Sequence, residues 1–337
     1  AGRLYEAPVP AGNYSQLSTD GKRLFFVVTE TTTESKLSLR SVAIEAPNPA
    51  PPAIELFFDD IRSYWMTQDR KKLTVPDLAR MKALEERITM ITAYDATFGR
   101  LVDLAGVDMI LVGDSVGMVV QGEANTITVE LDEMAYHVRL VARAQPKALI
   151  VGDLPFGSYQ VSPQQAVESS IRLMKEGAEC VKLEGGVVMA ETIQAITRVD
   201  IPVMGHIGLT PQSVHRMGGH KVQGKKSGWE AGGRERLLDD AHAVEQAGAI
   251  AVVIEGVPRD LAKEITNKLS IPTIGIGAGP DCDGQVLVLH DVVGLSERDL
   301  KFTKHFADLR TAAITATEAF IAEVRDGSWP DDAHSFH

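Results

Sequence analysis

Six ionisable side chains lie within short apolar segments or at their carboxyl ends. They are Asp114, Asp153, Lys182, Glu184, His206 and Glu255. A single Asp after a strand often only caps the next helix. Several such groups brought to one place are costly to bury unless a cation or a proton compensates them. The set therefore predicts a metal or catalytic site.

Three of the acids define the kind of metal. Asp114, Asp153 and Glu184 offer only oxygen ligands, which suits Mg²⁺ with waters or substrate oxygens completing its shell. Zinc is disfavoured because it usually recruits His or Cys. His206 has two interpretations, either as a ligand or hydrogen-bond donor to substrate, or as a satisfied histidine behind the ligands.

Lys182 lies two residues before Glu184, so both side chains point to one face of a strand. One interpretation is a Schiff base with a carbonyl substrate. The other is a fixed positive charge that binds a substrate carboxylate, kept protonated by the neighbouring acids. The second is favoured because a metal already supplies the electrophile.

The elements that position these residues follow from an alternation of apolar runs with amphipathic helical stretches. Strands are predicted over Ile88–Ala93, Met109–Gly113, Ala148–Asp153, Cys180–Glu184, Val203–Ile207, Ala251–Glu255, Thr273–Ile276 and Val286–His290. Helices are predicted over Leu131–Ala144, Ser162–Glu176, Arg234–Ala247 and Arg259–Leu269, with a final helix near Ala307–Arg325 closing the ring.

Eight strands in about 260 residues predict a (β/α)8 TIM barrel, whose active sites form at the carboxyl ends of the strands. A doubly wound open sheet is the alternative. It is disfavoured because the unit repeats evenly and no Gly-x-Gly-x-x-Gly loop follows the first strand.

Two glycine-rich stretches remain open to more than one interpretation. Gly275–Gly279 follows the seventh strand, where barrels often bind phosphate. The favoured interpretation is that these glycines allow a tight turn and close packing of the backbone. The polar loop Met217–Lys225 is either a mobile lid or a surface loop.

Composition limits the partners. The formal charge of −12 argues against nucleic-acid binding, and no segment approaches the roughly 20 apolar residues of a membrane span. Cys180 and Cys282 lack metal-type spacing, which favours a reducing cytoplasm. Small-molecule substrates are expected. Because the chain begins with Ala, a processed, trimmed or fragmentary start is also expected.

Residues 1–71 differ in character from residues 72–337 and predict a short N-terminal β-rich extension. Arg23–Glu30, Lys36–Ile44 and Ala53–Phe58 are predicted strands, with a turn at Asp20-Gly21. The Pro-rich run Ala46–Pro52 is predicted to be a stiff linker. The segment Leu17–Phe26 resembles a β-propeller blade of tricorn-type peptidases. A docking module, a propeller fragment and an artificial fusion of two reading frames are the alternatives.

The barrel segment carries a series of distinctive motifs. They are Ile91–Asp95, Val112–Met118, Gly152–Phe156, Val181–Gly186, Gly205–Ser213, Gly275–Gly279 and the C-terminal segment Pro330–His337. In these motifs and in their order, residues 72 to 337 resemble the ketopantoate hydroxymethyltransferase family. Residues 1–71 have no counterpart in the family.

The resemblance implies specific roles. Asp114, Asp153 and Glu184 would hold one Mg²⁺. Asp114, Ser115, Asp153 and Lys182 would contact the 2-oxo acid, and Glu255 would be the proton acceptor. The implied reaction transfers a hydroxymethyl group from 5,10-methylenetetrahydrofolate to 3-methyl-2-oxobutanoate, which gives 2-dehydropantoate for pantothenate synthesis. The resemblance also implies a homo-oligomer.

Two rival functions are considered. A Mg²⁺-dependent lyase or mutase of the phosphoenolpyruvate mutase and isocitrate lyase type would carry a Cys in a Lys-Lys-Cys-Gly-His type loop, and the corresponding loop here has none. A non-catalytic scaffold barrel is disfavoured by the intact acid and lysine set.

Overall fold

The computed structural model describes residues 14–19, 23–30, 36–43, 55–58, 70–297 and 300–336. Contacts within the chain divide it into two compact units, Ala1–Arg70 and Lys71–His337.

The N-terminal unit contains a four-stranded antiparallel sheet in the order β1-β2-β3-β4. Its strands are β1 (Tyr14–Thr19), β2 (Arg23–Glu30), β3 (Lys36–Ala43) and β4 (Glu55–Phe58). The three predicted strands are present, and β1 was not predicted. The β2–β3 pairing runs without interruption from Arg23 opposite Ala43 to Glu30 opposite Lys36. The predicted turn and Pro-rich linker lie outside the described residues.

The second unit is a closed barrel of eight parallel strands, in which each strand pairs with the next along the chain and the last pairs with the first. The strands are β5 (Ile88–Thr92), β6 (Met109–Val112), β7 (Leu149–Asp153), β8 (Cys180–Glu184), β9 (Val203–Gly208), β10 (Ala251–Glu255), β11 (Thr273–Ile276) and β12 (Gly284–Leu287). The predicted (β/α)8 barrel is therefore confirmed, and closure excludes the open sheet.

In this second unit one helix precedes the first barrel strand, and the other helices follow strands along the chain. They are α1 (Val75–Ala83), α2 (Ala96–Leu104), α3 (Val116–Val119), α4 (Leu131–Ala142), α5 (Pro163–Lys175), α6 (Ala190–Thr197), α7 (Val214–Met217), α8 (Arg234–Gln246), α9 (Arg259–Lys268), α10 (Leu289–Val292) and α11 (Leu309–Asp326). Short 3₁₀ turns occupy Val187–Met189, Pro211–Ser213 and Asp332–His334. None of the helices in the described ranges is long and apolar enough to cross a membrane.

Alternation along each strand separates two apolar layers. On β8, Val181 and Leu183 pack outward among the helices, whereas Cys180 belongs to the cluster inside the barrel. Leu78 and Met81 of α1 join that inner cluster, so α1 packs against the apolar interior.

Two sequence predictions were wrong in detail. The eighth strand was expected over Val286–His290, but β12 ends at Leu287 and His290 lies in α10. The strand begins at Gly284 rather than at Val286. Gly284 packs directly on β5, since a Cβ at Gly284 would lie 2.4 Å from the Ile88 carbonyl oxygen.

The final helix forms close to its predicted bounds but does not close the ring, because α11 has no buried residue. Ile314, Phe320 and Ile321 are among its exposed apolar side chains. Periodicity predicts that a helix forms, but it does not determine the surface against which that helix packs.

Candidate active site

One cavity of about 480 Å³ opens over the carboxyl ends of the barrel strands. All the predicted site residues line it, namely Asp114, Ser115, Asp153, Lys182, Glu184, His206 and Glu255. The barrel thus brings together side chains that are up to about 140 residues apart in the chain.

Asp153 and Lys182 form an ion pair at the centre of this site. Lys182 Nζ lies 2.9 Å from Asp153 Oδ1, and both side chains are almost fully buried. The other oxygen, Asp153 Oδ2, accepts a hydrogen bond from the Asp114 backbone N–H at 3.3 Å. Parallel pairing aligns Asp153 with Lys182 on neighbouring strands, which explains their proximity.

His206 links two of the acids. Its Nδ1 lies 3.5 Å from Glu184 Oε1, and its Nε2 lies 3.2 Å from Glu255 Oε2. Burial and Lys182 oppose protonation of the ring, but the contacts with Glu184 and Glu255 outweigh them and raise the pKa of His206 to about 9. A protonated His206 would therefore hold Glu255 from one side.

The end of β9 also positions Glu255. Gly208 has φ +92°, and a Cβ there would meet the Glu255 carbonyl oxygen at 2.3 Å. The Leu209 N–H donates to this same oxygen at 2.8 Å. The close approach therefore requires glycine and holds the end of β10 against the loop after β9.

Lys182 is held in its charged form. Burial opposes that charge, but Asp153, Glu184 and Asp114 together raise the pKa of Lys182 above its usual value. Schiff-base formation needs a neutral amine, so this environment favours the fixed-charge interpretation.

The carboxyl groups of this cluster disfavour one another's ionisation. Burial, followed by the carboxylates of Asp153 and Glu184, raises the pKa of Asp114 well above its usual value. Glu184 Oε1 and Asp153 Oδ1 are buried beside His206 at 3.5 Å and Lys182 at 2.9 Å, and among the described residues neither oxygen has an aligned hydrogen bond. A divalent cation is the type of group that would satisfy such oxygens.

Within the described part of the chain, no three His, Cys, Asp or Glu side chains are arranged to hold a metal ion by themselves. Mg²⁺ is usually held by one or two carboxylates, with waters and substrate oxygens as the remaining ligands. The donor set fits this mode of binding. The ligand set Asp114, Asp153 and Glu184 stays a prediction.

Ser115 is held beside Asp114 by an aromatic neighbour. Its Oγ lies 2.9 Å from the Tyr94 hydroxyl. The Tyr94 backbone carbonyl in turn lies 2.7 Å from His137 Nδ1 on α4. The Ser115 side chain is therefore fixed at the cavity wall by elements from two βα units.

Gln212, Tyr159 and His290 were missed in the sequence. Gln212 and Tyr159 are buried and hydrogen-bond to the acid cluster. His290 lines the cavity, and its Nδ1 is buried without a hydrogen bond to any of the described residues. The motif Gly205–Ser213 contains Gln212, and this was the available signal, but a single amide carries no periodicity that would single it out.

The glycine-rich stretch after β11 is tightly packed. A Cβ at Gly277 would meet the Phe302 ring at 3.2 Å, and one at Gly279 would meet the Arg259 side chain at 2.7 Å. Gly277 also has φ +61°. These contacts agree with the close-packing interpretation, and they place Phe302 at the cavity wall. The lid interpretation of the loop near Met217 stays a prediction.

Fold and site together define a (β/α)8-barrel enzyme with an acid, lysine and histidine centre at the carboxyl ends of its strands. Residues 72–332 match the model of the ketopantoate hydroxymethyltransferase family. The chain belongs to this family, and it is therefore a transferase.

Curated relatives agree with this assignment. A 3-methyl-2-oxobutanoate hydroxymethyltransferase from Pelobacter propionicus is 55% identical over 274 residues, covering 81% of this chain and 100% of that protein. One from Geobacter metallireducens is 57% identical over 268 residues, covering 79% and 99%.

Solved structures share the fold. A phosphonopyruvate hydrolase crystallised with oxalate and Mg²⁺ has a TM-score of 0.53 at 14% identity, covering 79% of this chain and 92% of that one. A 2,3-dimethylmalate lyase of the phosphoenolpyruvate mutase and isocitrate lyase superfamily has a TM-score of 0.50 at 17% identity, covering 78% and 92%. Identities this low support the fold alone.

Proposed function

We propose that this protein converts 3-methyl-2-oxobutanoate, 5,10-methylenetetrahydrofolate and water to 2-dehydropantoate and tetrahydrofolate, a step towards pantothenate and coenzyme A. The observation that carries the proposal is the shared cavity that joins Asp114, Asp153 and Lys182 to the His206–Glu255 pair. The names of the curated relatives support the choice of substrates.

Binding of the 2-oxo acid uses the charged centre. Asp114 and Asp153, with Glu184, would hold Mg²⁺, which when bound would withdraw electrons from the 2-oxo acid and make its C3 proton more acidic. Lys182 supplies a buried positive charge for the substrate carboxylate, and the Ser115 hydroxyl supplies a hydrogen bond.

Glu255 accepts the C3 proton. The electron pair of the broken C–H bond passes into the enolate, whose carbon then forms the new bond to the one-carbon unit. His206 lies 3.2 Å from the Glu255 carboxylate and keeps it oriented towards the cavity. The carbon enters at the oxidation level of formaldehyde. Both C–N bonds of the folate methylene bridge break, and the two nitrogens keep the electron pairs and take the protons of the water whose oxygen becomes the hydroxyl oxygen. The proton removed from C3 completes the new hydroxyl group.

The one-carbon donor would occupy the outer half of the cavity. A volume of about 480 Å³ exceeds the need of a five-carbon acid. The residues that line the cavity include the apolar side chains of Met118, Leu295 and Phe302. Such a surface suits a flat pterin ring, because aromatic side chains pack well against planar rings.

The deciding experiment is exchange of the C3 proton of 3-methyl-2-oxobutanoate into deuterated water, followed by NMR. The proposal predicts exchange that requires both the protein and Mg²⁺ and that does not require folate. Loss of exchange on chelation and its return on adding Mg²⁺ are expected. A folded protein that catalyses no exchange under these conditions would contradict the proposal and support a scaffold role.

The assembly proposed for this enzyme is a homo-oligomer in the cytoplasm. The support is α11, an exposed helix that carries Ile314, Phe320 and Ile321, which a second copy of the chain would cover. Light scattering should give a mass above that of one 36.5 kDa chain. Phe320→Glu should lower that mass, and a monomeric parent protein would contradict the proposal.

The N-terminal unit is proposed to be separate from the chemistry. The family model matches residues 72–332, and the two curated relatives are covered to 100% and 99% by alignments of 274 and 268 residues. These relatives are therefore about as long as the barrel segment alone. A chain of residues 72–337 should keep the exchange rate of the full chain. Comparing the masses of the two proteins tests whether the extension alters assembly.

A further inference from the structure

Gln212 is a buried amide on the 3₁₀ turn that follows β9, and it contacts two of the three carboxylates proposed to hold Mg²⁺. Its Nε2 donates to Asp114 Oδ2 at 2.9 Å. Its backbone N–H donates to Glu184 Oε2 at 3.0 Å. One residue thus binds one oxygen of each acid.

The orientation of the amide is determined by its other partners. Nε2 also donates to the Leu154 carbonyl oxygen at 3.0 Å. Oε1 accepts from the Tyr159 hydroxyl at 2.7 Å and from Gln160 Nε2 at 3.2 Å. Both donors and both acceptor positions of the amide are therefore used. A flipped amide would place its oxygen against the Asp114 carboxylate, which is unfavourable.

Tyr159 extends this support to the second acid. The Glu184 backbone N–H donates to the Tyr159 hydroxyl at 3.2 Å. Tyr159 is 1% exposed and Gln212 is 6% exposed, so water does not replace these bonds readily. The network couples the end of β8 to the turn after β9.

We propose that Gln212 is a positioning residue that determines which carboxylate oxygens face the metal. It engages Asp114 Oδ2 and Glu184 Oε2, while Glu184 Oε1, which is buried 3.5 Å from His206 Nδ1, accepts no hydrogen bond from the described residues. Partners that orient metal ligands commonly contribute 10–100-fold to metal affinity. The inference rests on the proposed Mg²⁺ site.

The test is a calorimetric titration of Mg²⁺ into the folded, substrate-free protein. Gln212→Met keeps the shape and the backbone N–H but removes both side-chain hydrogen-bonding functions. It should weaken Mg²⁺ binding about 10–100-fold. Gln164→Met is the matched control, because Gln164 is exposed on α5 and its side chain bonds to Glu168 on the same helix. This control should bind Mg²⁺ like the parent.

A second variant keeps the proposal testable if Gln212→Met does not fold. Tyr159→Phe removes the hydroxyl that fixes the amide but leaves the bond from Gln212 to Asp114, so Mg²⁺ binding should weaken by less than in Gln212→Met. In both variants, excess Mg²⁺ should restore C3 proton exchange, which a purely structural defect would not allow.

The outcomes separate the two proposals. If Gln212→Met and Tyr159→Phe both bind Mg²⁺ as tightly as the parent, the positioning role is wrong and the proposed function stands. If the parent binds no Mg²⁺, the metal-dependent function and the role of Gln212 both fail.

Discussion

Inward-facing side chains of the barrel strands differ between the two ends of the barrel, being apolar at the amino ends and ionisable at the carboxyl ends. On β10, Ala251 and Val253 belong to the buried apolar cluster, whereas Glu255 reaches the cavity. On β8, Cys180 is in the apolar cluster, and Lys182 and Glu184 line the cavity. The side-chain chemistry changes within two residues along one strand face.

The difference shows how stability and chemistry are divided. At the amino ends of the strands, apolar side chains pack with α1, and their burial stabilises the fold. At the carboxyl ends, buried charges contribute little net stability because removing them from water is costly. Substitutions at the two ends should therefore have effects that separate cleanly.

The largest effect is expected for Glu255→Gln. The variant keeps the shape of the side chain but cannot accept the C3 proton, so exchange should fall by about 10²–10⁴-fold. Mg²⁺ and ketoacid binding, measured by calorimetry, should remain close to the parent. Exchange at the parent rate would show that another group is the base.

The opposite end is tested with Leu78→Ala. Leu78 of α1 is 1% exposed, so the variant should lower the free energy of unfolding by about 2–4 kcal/mol in urea denaturation. Exchange per folded molecule should not change. Leu84→Ala is the control, since Leu84 is 60% exposed at the end of the same helix. A lower exchange rate in folded Leu78→Ala would contradict the proposal that the amino ends of the strands serve stability and the carboxyl ends serve the chemistry.

At the rim, Asp153→Asn should weaken Mg²⁺ binding about 100-fold, because it would remove the charge of a proposed ligand and break the ion pair with Lys182. Asp132→Asn, on the exposed start of α4, should bind Mg²⁺ normally. Equal Mg²⁺ titrations for Asp153→Asn and the parent would remove Asp153 from the ligand set.

The smallest effect is expected for Phe302→Ala at the wall of the cavity. Loss of a ring contact should raise KM for 5,10-methylenetetrahydrofolate about tenfold. C3 proton exchange, which uses no folate, should stay within about twofold of the parent. An unchanged KM would place the donor elsewhere.

Much of this architecture could be predicted from the sequence because the signals are local. Strands β8, β10 and β11 have their predicted bounds, since each is a short apolar run between polar segments. The carboxyl-end halves of β6 to β10, with the residues just after them, contain the ionisable side chains that line the cavity, and these were identified from the sequence.

Only the tertiary structure decided how those residues contact one another. The bond between Gln212 and Asp114 joins positions 98 residues apart, and no pattern in the chain marks it. The exposed position of α11 was missed for a related reason, because periodicity is a property of one helix and packing is a property of two surfaces. Residue order determined which groups reach the rim, and closure of the barrel determined their distances.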